Sequence, residues 1–166
     1  MKLDNLDETM EIIRKIYTCE IPMFDEDGDD WTDEYSDFYS SLDDLKSNPS
    51  YFEVSCIPKL MELFNDTLNY DTLMSSLADL IICIANFYGE EGMCKLLESF
   101  SCVKDTGKMY GKIHLVGGLL YNHFEDLKAA LLISAADVQQ EFKIILSMIN
   151  FKNLLDKKEE LLKILL

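Results

Sequence analysis

The chain has 166 residues, 31 of them acidic and 15 basic, for a formal net charge of −16 with 48% hydrophobic residues. That apolar content separates it from disordered chains despite the charge, and the length suits a single domain, 1–166, with a sizeable core. The charge opposes direct binding to nucleic acid, whose phosphates attract cations, and to anionic membrane surfaces; it favours a basic protein partner.

The first eight residues, Met1–Glu8, carry no basic stretch followed by an apolar core, so no secretory signal is expected. Apolar runs such as 80–84 and 129–133 fall far short of the roughly 20 residues that span a bilayer. Five cysteines, Cys19, Cys56, Cys83, Cys94 and Cys102, cannot all pair and form no CxxC motif. They read as reduced thiols of a cytoplasmic protein.

Helical periodicity begins at 4–18, where Leu6, Met10, Ile13 and Tyr17 fall on one face. Asp7, Glu8 and Glu11 near its start and Arg14 and Lys15 near its end suit the helix dipole. Ile21-Pro22 closes it, because the residue before proline avoids the helical region. Residues 23–31 form a loop around Gly28, and a second helix is expected over 32–46 with Tyr35, Phe38, Leu42 and Leu45 on one face.

Charge is concentrated here. Residues 1–66 hold 18 acidic and five basic side chains, against 13 and ten in the remainder. Within 25–44 there are ten carboxylates and no lysine or arginine. Calcium is the first reading of Asp25, Asp27 and Asp29, whose alternation resembles an EF-hand loop. That loop needs glycine at its sixth position and glutamate at its twelfth, and Asp30 and Ser36 stand there instead. Two readings stay open. In one, the loop–helix segment 22–46 is a partner surface: Trp31 anchors, and Asp25, Glu26, Asp27, Asp29, Asp30, Asp33, Glu34 and Asp37 steer and pair with a cationic partner. In the other, the aromatics face the core and the carboxylates form a solvated face.

Ser50 and Glu53 have capping-box spacing. The helix after them carries Ile57, Leu60, Met61 and Phe64, and Pro58 kinks it or restarts it as a shorter helix from Ser55. A turn is expected over 65–69. Asp71 then caps the strongest helix, 72–88, which Gly89 ends. A short helix over 90–100 turns Met93, Leu96, Leu97 and Phe100 inward, and 101–107 reads as a loop. The 108–124 helix has a stripe of Tyr110, Ile113, Val116, Leu120 and Phe124, and its Gly117-Gly118 pair either weakens it or admits a close neighbour. Helices at 125–134 and 136–150 follow. The last, 152–166, has Leu155, Leu162 and Leu166 inward and a lysine–glutamate outer face. No alternating strand pattern occurs. The fold class is all-α, with about seven to nine helices in antiparallel hairpins, arranged as a right-handed HEAT-like stack or a globular bundle.

No reaction chemistry stands out, and no catalytic, cofactor or metal site is assigned. His114 and His123 lie nine apart, not at the i, i+4 spacing of a helical zinc pair, and read as structural histidines near helix ends. Glu20, Asp79 and Asp137 adjoin apolar residues and could be buried carboxylates, or could face water. Gly89-Glu90-Glu91-Gly92 is a helix junction rather than a phosphate loop, since its carboxylates repel anions. Lys104, Lys108 and Lys112 make a basic stripe that reads as a solvated face.

The segments Cys56-Ile57-Pro58-Lys59-Leu60-Met61-Glu62-Leu63-Phe64-Asn65-Asp66 and Tyr70-Asp71-Thr72-Leu73-Met74-Ser75-Ser76-Leu77-Ala78-Asp79-Leu80-Ile81 carry a family likeness. The chain resembles the small acidic all-α immunity proteins of bacterial polymorphic toxin and contact-dependent inhibition systems, grouped as immunity protein family 30. The resemblance covers the middle third and extends loosely toward the carboxyl end; the acidic stretch 25–44 is not part of it. It implies a cytosolic protein that binds and neutralises the carboxyl-terminal domain of a cognate toxin, with no catalytic residues. The alternative is a helical-repeat adaptor or phage-type nucleic-acid mimic acting on another basic protein.

Overall fold

The computed structural model describes residues 11, 13–15, 32–33, 36, 45–64, 71–103 and 110–165, and every regular element among them is helical. Helical backbone at 11 and 13–15 falls within the first expected helix, that at 33, 36 and 45–47 follows the second and runs one residue past it, and Ile13 and Leu45 are buried as their spacing requires. The remaining α-helices are α1 (Cys56–Met61), α2 (Asp71–Phe87), α3 (Gly89–Glu98), α4 (Tyr110–Asn122), α5 (Phe124–Ile133), α6 (Ala136–Met148) and α7 (Leu155–Ile164). Short 3₁₀ turns occupy Pro49–Tyr51, Ser99–Cys102 and Lys152–Leu154.

Local chemistry sets these boundaries. Pro58 is the third residue of α1, where its missing N–H costs no intrahelical bond, so the chain restarts as a short helix after Ser55. The capping box does not form: Pro49 and Ser50 lie in a 3₁₀ turn, Phe52 is extended, and the Ser55 hydroxyl donates to Glu53 Oε2 at 3.2 Å. Gly89 turns the chain from α2 into α3 at φ +59°, a left-handed conformation open to glycine without steric cost. Acidic residues open α3 (Glu90, Glu91), α5 (Glu125, Asp126), α6 (Asp137) and α7 (Asp156), where the dipole favours them.

Packing follows a simple rule. α2 lies against α3 and α4, α3 against α5, α4 against α6, and α5 and α6 both against α7. Each helix thus meets its successor or the helix after that, as in hairpins stacked one on the next. Leu80, Ile81 and Ile84 of α2, Leu96 and Leu97 of α3, Leu119 of α4, Leu131 of α5 and Ile145 of α6 are all buried in one shared core. Phe100 and Phe142 meet edge-on at 5.6 Å between ring centres.

Glycine sets the closest approaches. A β-carbon on Gly92 would collide with the Ala85 carbonyl oxygen, so the α2–α3 hairpin closes backbone to backbone. One on Gly118 would lie 2.9 Å from Ile82 Cδ1, so of the two readings of the glycine pair the close-neighbour one describes this position.

Two expectations are corrected. Along α7 and at its two caps the buried positions are Leu154, Leu161 and Leu165, while Leu155 and Leu162 are only half-buried, Leu162 still packing on the core, and Leu166 lies outside the described residues; the most buried stripe runs one residue earlier than expected. Lys112 is not on a solvated face: it is buried, and its ammonium donates to Glu141 Oε1 at 2.7 Å. The lysines of α7 also act as fasteners. Lys157 Nζ donates to the carbonyls of Leu120 (2.7 Å) and Tyr121 (3.2 Å) at the end of α4, and Lys158 Nζ to Ile149 (2.7 Å) at the end of α6. They satisfy carbonyls that a helix end leaves bare.

Candidate functional site

Of the nine residues expected to meet a partner, Asp25, Glu26, Asp27, Asp29, Asp30, Trp31, Glu34 and Asp37 lie outside the described residues, as do Cys19, Glu20, Lys104 and Lys108. Asp33 is described. It is exposed on helical backbone, in a turn where the Ser36 amide donates to the Thr32 carbonyl at 2.9 Å. That turn places the start of the helix where the sequence predicts it.

The other titratable candidates resolve individually. Asp79 and Asp137 are exposed, so neither is a carboxyl held in an apolar pocket. His123 immediately precedes α5, with Nδ1 4.0 Å from Asp126, whereas His114 sits inside α4 rather than near an end. Among the described residues no group of three metal-ligating side chains converges, and no helix is long and apolar enough to cross a membrane. Cys56, Cys83, Cys94 and Cys102 are free thiols. Burial pushes the Cys83 thiol above its usual range, with Asp79 adding to the shift and Lys46 opposing it. Cys94 is raised by burial and then by Glu90 and Glu98. Both shifts disfavour the thiolate that nucleophilic chemistry uses.

What the fold does assemble is a cleft of about 320 Å³ between α2, α4 and the turn joining α6 to α7. α2 contributes Asp79, α4 contributes His114 and Tyr121, and the turn contributes Phe151 and Asn153. Gly117 lines it as well: a β-carbon there would lie 3.6 Å from Phe151 Cε2, so the missing side chain gives the cleft depth beside the ring. Tyr121 is 65% exposed and Phe151 48%. Ile144 and Met148 of α6 are also exposed, seven and three residues before Phe151.

The sequence offers Asp79 as a buried or water-facing carboxylate and His114 as a structural histidine, and gives no role to Tyr121 or Phe151. One signal was there to find. Phe151 falls between two predicted helices, and a large aromatic in a short connection needs a surface to lie on. No family model, curated protein or solved structure matches the chain.

Proposed function

We propose that the protein is a stoichiometric inhibitor, an immunity protein that occludes a basic bacterial toxin domain. The observation that carries this reading is the charge pattern: ten carboxylates around Trp31 with no lysine or arginine across 25–44, in a chain of net charge −16. Uncompensated charge of that density repels itself and is favoured by meeting the opposite sign. The resemblance read from the sequence of the middle third to immunity protein family 30 points the same way, without a matching family model behind it. The stack of hairpins suits it, since helices packed in rows present extended faces to another protein. Carboxylates steer the encounter and raise its rate toward about 10⁸ M⁻¹s⁻¹, an effect that fades with salt. Aromatic side chains then supply the desolvated contact that slows departure.

The test is replacement of Asp27, Asp29, Asp30 and Asp33 together by asparagine, with as partner a basic toxin domain whose growth arrest the unmodified protein relieves on co-expression. The association rate is expected to fall by about tenfold at low salt and to lose most of its salt dependence. Unchanged association and unchanged protection of cells would remove the acidic segment from the interface.

A further inference from the structure

We infer that the cleft between α2, α4 and the α6–α7 turn is a second contact point, built to receive an arginine side chain of the basic partner. The inference deepens the inhibitor reading and rests on it for the partner's identity.

Two exposed aromatics, Tyr121 and Phe151, line the cleft, and an acid, Asp79, lines it with them. A guanidinium is planar, stacks on aromatic faces and forks onto a carboxylate, and it is less strongly hydrated than an ammonium, so arginine suits such walls better than lysine. His114 and Asn153 add polar groups to the same lining. The volume of about 320 Å³ lies at the small end for ligand pockets, a size for one side chain rather than a cofactor. The sign of the ligand follows from the lining. No lysine or arginine lines the cleft and Asp79 does, so an anion is repelled. A metal ion is disfavoured because a single carboxylate and a single imidazole fall short of the usual ligand number. Charge complementarity therefore commits the site to a cation carried on a flat, apolar-faced group.

The probe is the capped tripeptide acetyl-Gly-Arg-Gly-amide, titrated into the full ¹⁵N-labelled chain at 150 mM salt, with the citrulline tripeptide as a neutral mimic of the same shape. Saturable shifts are expected at Asp79, His114, Tyr121 and Asn153, with the citrulline peptide at least tenfold weaker. Asp79→Asn and Gly117→Leu, the second filling the cleft without changing charge, each weaken the arginine peptide fivefold or more, while Glu62→Gln, at an exposed carboxylate outside both the cleft and the acidic segment, leaves it unchanged. Thermal melts verify that each variant stays folded. Equal binding of the citrulline peptide, or shifts confined to carboxylates outside the cleft, overturns the inference. With the toxin domain itself, the cleft variants are expected to speed dissociation at least fivefold and leave association unchanged. Unaltered dissociation sinks the cleft alone, because the acidic-segment reading is judged by association.

Discussion

Lys112 of α4 reaches Glu141 of α6 at 2.7 Å, with the lysine side chain 8% exposed and the glutamate 31%. The ammonium is thus held between packed helices, where losing a partner leaves an ill-solvated charge. Glu141→Leu alone is expected to destabilise the fold by about 2 kcal/mol, well beyond the roughly 0–1 kcal/mol of a surface pair. The double variant Lys112→Met with Glu141→Leu is expected to recover most of that loss, since an apolar pair of similar volume needs no desolvation. Urea denaturation of the four corners of the cycle measures the coupling.

The glycines separate into three classes by what a methyl group would meet. Gly92→Ala is expected to cost about 3 kcal/mol, because its β-carbon collides with backbone at the Ala85 carbonyl. Gly89→Ala costs about 1–2 kcal/mol for its left-handed φ, although the space around it is open. Gly117→Ala is expected to stabilise by about 0.5–1 kcal/mol, since its β-carbon makes an ordinary contact and helical alanine outranks glycine. Midpoints of chemical unfolding order the three.

Leucine truncations report the register of α7. Leu161→Ala removes a side chain with no exposed surface and is expected to cost about 2–5 kcal/mol. Leu162→Ala, from a half-buried position, is expected to cost about 1 kcal/mol. Equal losses would restore the register predicted from sequence.

Thiol chemistry has a defined pH sign. Cys83 and Cys94 are raised in the fold, so the folded state holds these protons more tightly than the unfolded chain does. Their contribution to stability is therefore whole below the unfolded thiol value of about 8.5 and is lost as pH climbs through the raised folded values. At pH 8 both are expected to react with a maleimide more slowly in the folded protein than in urea. Mass spectrometry of tryptic peptides reads each cysteine separately.

Much of the helical plan was legible in the sequence because its signals are local. The apolar spacing of α2 and the glycine after it marked that hairpin without tertiary information, and Met93, Leu96, Leu97 and Phe100 are buried as their period predicts. The α7 register was not legible for a plain reason. Leucine doublets at 154–155, 161–162 and 165–166 draw two stripes one residue apart, both compatible with a 3.6-residue period. Lysine is exposed by default, and the Glu141 carboxylate that meets the buried Lys112 lies 29 residues away, beyond any local pattern. The cleft depends on three segments meeting, and no local pattern announces that; only Phe151 in its connection hinted at it.

The fastening of α7 by Lys157 and Lys158 onto the ends of α4 and α6 has a consequence for how the molecule comes apart. Where neighbours hold only neighbours, damage does not spread far. Replacing both lysines by methionine should let the last hairpin exchange its amide protons freely while α2 and α3 keep theirs. The chain would then fray from one end like an unpicked seam, and the cleft, which borrows Phe151 from that end, would be the first feature to go.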